Sequence, residues 1–197
     1  MSWPNRITML RLLLVPVFIL LVLSAADAAM YRYAAFALAV VIGACDAADG
    51  IIARRTGSVT KIGSILDPLA DKALMISALV TLSLPGILSA DQPDLRLPYW
   101  VSVTLVSRDL FVLVGAGVVF LLVGMFHTMP SGIGKAATVM QFILIAAMLA
   151  SPDLLRAFPK ATWTGLHVLW GLTVALGILS WLGYVRTGSK LLTAGGH

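Results

Sequence analysis

Four aspartates lie in stretches of the sequence that are otherwise apolar enough to cross a membrane. They form two pairs, Asp46-x-x-Asp49 and Asp67-x-x-x-Asp71. Residues at these spacings share one face of a helix. A charge at bilayer depth is costly, and it is retained where a cavity, a partner or a metal ion compensates it. Two helices that present such pairs to each other could bind Mg²⁺, Mn²⁺ or Ca²⁺, because these cations prefer oxygen ligands.

Ion pairing with basic neighbours is the alternative explanation for the aspartates. The candidate partners are Arg54, Arg55, Lys61 and Lys72. One carboxylate pair could be explained in this way, but four in register favour a cation. Mg²⁺ is usually held by a few carboxylates together with substrate phosphates, and paired metal ions stabilise displacement at phosphorus. The pattern therefore favours a metal site that handles phosphate.

Small residues accompany the aspartates on the same predicted helix faces. Gly50 and Ala53 continue the first face, and Gly63 begins the second. They would leave room for a base, a ribose or a diphosphate, although small residues also serve close helix packing in membranes. Arg54 could bind phosphate through its planar guanidinium, or it could be a basic residue at the cytoplasmic interface.

The composition indicates an integral membrane protein with one domain, residues 1–197. Of the 197 residues, 59% are hydrophobic and 12% are charged, whereas a soluble domain carries about 25% charged residues. The single cysteine excludes an intrachain disulfide and a four-cysteine zinc site. We assign the net charge of +5 to cytoplasmic loops and membrane lipids, and we expect no nucleic-acid partner.

Six apolar segments approach the roughly 20 residues that a membrane-spanning helix needs. They are residues 7–26, 31–54, 62–84, 97–126, 133–151 and 163–185. We expect a kink at Pro16, an end of the third helix at Pro85-Gly86, and a link between Pro152 and Pro159.

Basic residues concentrate on the side of the membrane that this scheme gives to both termini. They are Arg6, Arg11, Arg54, Arg55, Lys61, Lys135, Arg186 and Lys190. Because basic loops remain in the cytoplasm, both termini and the aspartate pairs are predicted to be cytoplasmic. The predicted fold is an all-α integral membrane protein of six transmembrane helices, with a polar active-site cavity open to the cytoplasmic side.

Residues 46–71 resemble the full signature of the CDP-alcohol phosphatidyltransferases, D-x-x-D-G-x-x-A-R, eight residues, then G-x-x-x-D-x-x-x-D. All eight fixed positions match. The stretch Pro4-Asn-Arg-Ile-Thr-Met-Leu-Arg11 also resembles the start of many members. The resemblance implies an enzyme of phospholipid biosynthesis that transfers a phosphatidyl group from CDP-diacylglycerol to an alcohol and releases CMP. It further implies a homodimer in the bacterial cytoplasmic membrane or an equivalent organelle membrane.

The same resemblance implies a role for each signature residue. The metal ligands would be Asp46, Asp49, Asp67 and Asp71, holding Mg²⁺ or Mn²⁺, with two ions expected. Asp71 would also be the general base. The nucleotide and diphosphate would lie against Asp49, Gly50, Ala53, Arg54 and Gly63.

Two further basic residues are candidates for binding the acceptor alcohol. Arg108 and Lys135 could bind its anionic group. The alternatives are a helix–helix ion pair that involves Arg108 and Asp109, and an interfacial position for Lys135. The stretch Ile65-Leu-Asp-Pro-Leu-Ala-Asp-Lys72 resembles glycerophosphate-specific members of the family. The stretch Ser107-Arg-Asp109 instead resembles cardiolipin synthases, which use phosphatidylglycerol. We expect glycerol 3-phosphate as acceptor, with cardiolipin synthesis as the alternative.

A cation transporter is the rival interpretation from another class, because intramembrane aspartates also suit ion passage. Transporters often show inverted repeats or broken helices near the membrane midplane. This sequence shows neither clearly, and its carboxylates cluster at one end of the predicted helices. A structural scaffold would leave the aspartates unexplained. The sequence therefore favours the transferase.

Overall fold

The computed structural model describes residues 3–56, 63–92, 94–123 and 132–194. Within these ranges the chain forms helices and no strand. The helices are α1 (Trp3–Leu23), α2 (Ala29–Thr56), α3 (Gly63–Thr81), α4 (Tyr99–Val123), α5 (Gly132–Ala157) and α6 (Pro159–Ala194). Each of the six predicted helices is present, so the all-α prediction is confirmed.

The helix boundaries depart from the prediction mainly where prolines and glycines occur. Helix α3 ends at Thr81, and the chain has already turned when it reaches Pro85. Gly86 has a φ of 68°, a left-handed conformation that glycine adopts without steric cost. Helix α6 begins at Pro159, a position where the missing N–H has no helical partner in any case.

The prediction that Pro152 lies in the link between the fifth and sixth helices is wrong. Helix α5 continues through Pro152 to Ala157. A proline inside a helix leaves the carbonyl four residues earlier without its backbone donor, and here that carbonyl belongs to Met148. The buried Ser151 hydroxyl donates a hydrogen bond to the Met148 carbonyl over 2.6 Å. This side chain therefore replaces the missing N–H and allows the helix to continue.

Replacing Ser151 by alanine is expected to destabilise α5, because the Met148 carbonyl would lose this donor. The expected loss is about 1 kcal/mol, or about 2–4 °C in the thermal unfolding midpoint of a chain of this size. The matched control is Ser77→Ala. The Ser77 hydroxyl also donates to a carbonyl, that of Ala73, over 2.6 Å, but an α-helix already supplies a backbone donor there. Equal midpoints for the two variants in detergent would contradict the role given to Ser151.

The packing places α1 and α5 as shared neighbours of α2 and α3. Helix α1 contacts α2 and α3, whereas α5 contacts α2, α3 and α6. Helix α4 contacts α3 and α6. One buried apolar cluster draws on all six helices, with Phe18, Ala39, Met75, Leu105, Met148 and Trp170 as members. The two helices that carry the signature are therefore supported by the same pair of neighbours.

The outer surface of the helices carries many large apolar side chains. Exposed examples are Leu13, Val40, Val103, Phe111, Val139 and Val168. In the described ranges, α5 and residues Pro159–Arg186 of α6 are long and apolar enough to cross a membrane. An apolar exterior around a packed interior is what a lipid environment requires, since lipid tails do not drive apolar side chains inward.

Candidate active site

The signature residues lie on two helices, as the spacing predicts. Helix α2 carries Asp46, Asp49, Gly50, Ala53 and Arg54, and helix α3 carries Gly63, Asp67 and Asp71. Their side chains lie outside the described part of the structure. The helical backbone on which the face-sharing argument depends is thus confirmed. The metal, nucleotide and base roles of these residues stay predictions.

A close contact between α2 and α5 lies one helical turn before the signature. A Cβ added to Gly43 would lie 3.3 Å from Cε1 of Phe142, closer than most such contacts. Gly43 is three residues before Asp46 on the same helix. The missing side chain therefore lets the Phe142 ring approach the α2 backbone just before the first aspartate.

A buried polar cluster begins at the residue that follows Asp71. Lys72 Nζ lies 2.9 Å from Asp109 Oδ1, and Arg108 Nη1 lies 2.6 Å from the same oxygen. Gln141 Nε2 donates to Asp109 Oδ2 over 3.0 Å, and Arg108 Nη2 donates to Ser180 Oγ over 2.7 Å. We call these five residues the Asp109 cluster. It joins α3, α4, α5 and α6 at the end of the signature.

The Asp109 cluster contains two cations and one anion, and its Lys72 side chain is partly buried, at 13% exposure. Asp109 is 0% exposed and Arg108 is 6% exposed. Buried charges are tolerated where oppositely charged groups lie at hydrogen-bonding distance and further hydrogen bonds satisfy their remaining polar atoms. Gln141 and Ser180 supply such hydrogen bonds here. Arg108 Nε is buried without a hydrogen-bond partner among the described residues. Among the described side chains, the cluster therefore carries one more positive than negative charge.

The two predicted acceptor-binding residues lie in different surroundings. Arg108 is buried and contacts Asp109 and Ser180, whereas Lys135 is exposed in the first turn of α5. The ion-pair interpretation of Arg108 and Asp109 is realised, with Lys72 as the partner from another helix. Acceptor binding by Arg108 and Lys135 stays a prediction.

Sequence reasoning missed most of the contacts that form this cluster. The sequence offers Lys72 as a partner for the signature aspartates, and it indicates no partner for Gln141. A lysine, an aspartate and a glutamine within apolar helices are signals that could have predicted the cluster. Ser180 carries no such signal, because serine is common in apolar helices and its partner is remote in sequence.

The chemistry of the signature donor set fits a hard divalent cation. Four carboxylates lie on helical backbone at spacings that place each pair on one face, and carboxylate oxygens suit Mg²⁺ and Mn²⁺. Among the described side chains there is no group of three or more histidine, cysteine or acidic residues that could hold a metal. The signature carboxylates are not among those side chains, so they remain the candidate ligands.

The sequence model of the CDP-alcohol phosphatidyltransferases matches residues 1–184 of this chain. The chain belongs to the CDP-alcohol phosphatidyltransferase family. The match extends from the N-terminal stretch through the signature and the Asp109 cluster, and it ends inside α6. Membership, together with the apolar α5 and α6, indicates a membrane protein.

Members of this phosphatidyltransferase family from several bacteria are similar to the chain. The CDP-diacylglycerol--glycerol-3-phosphate 3-phosphatidyltransferase of Bacillus subtilis is 32% identical over 171 residues, which are 80% of this chain and 82% of that protein. A Mycobacterium tuberculosis protein with the provisional name phosphatidylglycerophosphate synthase is 39% identical over 111 residues, 56% of this chain. The match spans about half of the M. tuberculosis protein, 49% of its length.

A third relative carries a different name within the same family. A Mycobacterium bovis protein with the provisional name cardiolipin synthase is 32% identical over 168 residues, which are 84% of this chain and 69% of that protein. The similarity to the chain is therefore shared between relatives that are named for two different reactions.

Proposed function

We propose that this chain transfers the phosphatidyl group of CDP-diacylglycerol to glycerol 3-phosphate and produces phosphatidylglycerophosphate and CMP. Family membership across residues 1–184 supports the reaction class, and the name of the Bacillus subtilis relative supports the acceptor. The observation that carries the proposal is the complete signature, whose eight positions all lie on helical backbone of α2 and α3.

The four signature aspartates would hold Mg²⁺ or Mn²⁺, and we propose two ions. Their shared faces on α2 and α3 and the hard character of carboxylate oxygens support this assignment. When bound, the cation would supply positive charge that neutralises the diphosphate of the substrate.

Asp71 is proposed as the general base. The acceptor hydroxyl loses its proton to the Asp71 carboxylate as its oxygen attacks the phosphorus that carries the diacylglycerol group. A new phosphate ester bond forms at that phosphorus, and the bond between the two phosphates breaks. The electron pair of the broken bond stays on the departing CMP. A carboxylate positioned beside the hydroxyl can accept this proton directly.

The nucleotide and diphosphate are proposed to lie along α2 and the start of α3, against Asp49, Gly50, Ala53, Arg54 and Gly63. The small residues would allow close approach to the backbone. The Arg54 guanidinium would match the planar geometry of phosphate oxygens.

The acceptor phosphate is proposed to lie near Arg108 and Lys135. Arg108 is held at one end by Asp109 and Ser180, and its Nε has no partner among the described residues. The described side chains of the Asp109 cluster carry one more positive than negative charge, which supports an anion near Arg108. This arrangement would bring the acceptor to the general base.

Cardiolipin synthesis is the second candidate function. The similarity to the Mycobacterium bovis relative over 84% of this chain favours it, as does the Ser107-Arg-Asp109 sequence. The acceptor would then be the free hydroxyl of phosphatidylglycerol, and the donor chemistry would be unchanged.

An acceptor panel tests both candidates. The purified chain with CDP-diacylglycerol and Mg²⁺ is offered glycerol 3-phosphate, phosphatidylglycerol, inositol phosphate or serine, and CMP release is measured. We expect CMP with glycerol 3-phosphate. CMP with phosphatidylglycerol alone would establish the second candidate. Ion movement in liposomes without CMP from any alcohol would overturn the transferase and favour the cation transporter.

The proposed setting is a bacterial cytoplasmic membrane or an equivalent organelle membrane, crossed by all six helices. The apolar exterior and the two spanning candidates support a membrane location. The bias of basic residues supports cytoplasmic termini and an active-site cavity open to the cytoplasm. We also propose a homodimer, on the resemblance to the family alone.

A further inference from the structure

Asp109 is the common acceptor of the polar cluster that follows the signature. Lys72 and Arg108 both reach Oδ1, over 2.9 and 2.6 Å, and Gln141 donates to Oδ2 over 3.0 Å. Asp109 is fully buried. One carboxylate from α4 therefore makes polar contacts with α3 and α5, and through Arg108 with Ser180 on α6.

The contact with Lys72 ties α4 to α3 at the residue directly after Asp71. Two residues later Leu74 and then Met75 are buried at 2% and 0% exposure, so the apolar contacts of α3 continue from the same turn. The ion pair and these apolar contacts together fix the rotation of α3 about its own axis and its position along that axis. Because a helical turn is one hydrogen-bonded unit, a shift of α3 at Lys72 would also displace the residues on the same turn.

Removing the carboxylate would leave the buried Arg108 and the partly buried Lys72 without the anion between them. Lys72 and Arg108 now share one oxygen, so their charged ends lie close together. Like charges in a low-dielectric interior repel strongly, and an uncompensated buried charge is costly. We expect α3 and α4 to separate locally in response.

We propose that Asp109 is a positioning residue for the phosphatidyl transfer, which acts through Lys72 to place Asp71 against the acceptor. This inference rests on the proposed function. Asp109 takes no proton in the reaction and contacts no substrate in this proposal. It sets the geometry of the helix that carries the base.

The test is Asp109→Asn, assayed by CMP release at varied CDP-diacylglycerol. A misplacement of about 1 Å at a reacting group costs about 100-fold in rate, so we expect kcat to fall by about 100-fold. We expect KM for CDP-diacylglycerol to change less than about threefold, because ground-state binding does not use this contact. A kcat within about twofold of the unchanged enzyme would overturn the inference.

A double variant examines whether the effect passes through Lys72. When two residues act through one contact, the effects of mutating them are strongly non-additive. Lys72→Met should lower kcat on its own, and Lys72→Met with Asp109→Asn should be no slower than Asp109→Asn. If the fold-losses in kcat of the two single variants multiply in the double variant, the effect of Asp109 does not pass through Lys72.

Asp153→Asn is the matched control, because it removes the carboxylate partner of another buried arginine. Asp153 Oδ2 lies 2.6 Å from Nη2 of Arg32, which is 3% exposed. Arg32 lies near the start of α2, away from the signature near its end. We expect Asp153→Asn to lower the unfolding midpoint while kcat stays within about twofold. Equal losses of kcat in both variants at equal losses of stability would show a merely structural role for Asp109.

Gln141→Leu is a second test of the inference, to be used if the Asp109→Asn protein does not fold. It removes the donor to Oδ2 and keeps all three charges of the cluster. A partial loosening of the contacts of Asp109 is expected to lower kcat about tenfold, with KM unchanged, and an unchanged kcat would overturn the inference.

If the unchanged enzyme releases no CMP with any acceptor, the proposed function and this inference fall together. If it turns over normally and the variants do too, only the inference falls.

Discussion

Asp71→Asn is expected to abolish turnover while substrate binding is retained. The asparagine amide keeps the size and one oxygen of the carboxylate but has no site basic enough to accept the hydroxyl proton. General base catalysis contributes about 10²–10⁴-fold, so we expect kcat to fall by about 10³-fold or more. CMP release measures kcat, and the rise in unfolding midpoint on adding CDP-diacylglycerol with Mg²⁺ measures binding.

The matched control is Asp91→Asn, which makes the same change at an exposed position between α3 and α4. It should leave both CMP release and the midpoint unchanged. Normal turnover by Asp71→Asn would remove the base assignment. Loss of the substrate-induced midpoint rise together with turnover would instead indicate that Asp71 acts mainly in binding.

Removing divalent metal is expected to lower kcat about as much as the Asp71→Asn substitution does. A metal ion at a phosphate contributes several kcal/mol of charge stabilisation, which corresponds to a rate factor of about 10³ or more. Dialysis against a chelator should abolish CMP release, and Mg²⁺ or Mn²⁺ should restore it. Elemental analysis of the restored protein should find two ions per chain.

Asp46→Ala and Asp49→Ala connect the metal to the signature. Each variant should bind less metal and need more Mg²⁺ for half-maximal CMP release, because a carboxylate ligand is lost. Asp94→Ala, which alters an exposed aspartate before α4, is the control and should match the unchanged chain. Full activity after chelation, or unchanged metal content in both signature variants, would exclude a site formed by these residues.

Several features could be predicted because they depend on local sequence. Apolar runs of spanning length specify helices in a membrane, since a backbone without water must satisfy its own hydrogen bonds. For the same reason the aspartate spacing could be interpreted on helices, and all eight signature positions do lie on helical backbone. The family resemblance of residues 46–71 is likewise confirmed, because it depends only on residue type and spacing.

The error at Pro152 shows where local rules fail. Proline usually ends a helix because it leaves a carbonyl without a donor. Here the neighbouring hydroxyl of Ser151 supplies that donor, and α5 continues for another turn. Whether a serine side chain takes this rotamer depends on the buried packing around it, which the order of residues does not reveal.

The sequence alone thus determined the helical class, the family and the two helices that carry the signature. The tertiary structure alone decided that Lys72, Arg108 and Gln141 converge on Asp109, and that Ser180 completes the cluster. The reason is physical: helix formation and motif spacing are satisfied within a few residues of chain. A buried charge must instead find its partner in space. The partners here come from four helices, and one bonded pair, Arg108 and Ser180, lies 72 residues apart along the chain.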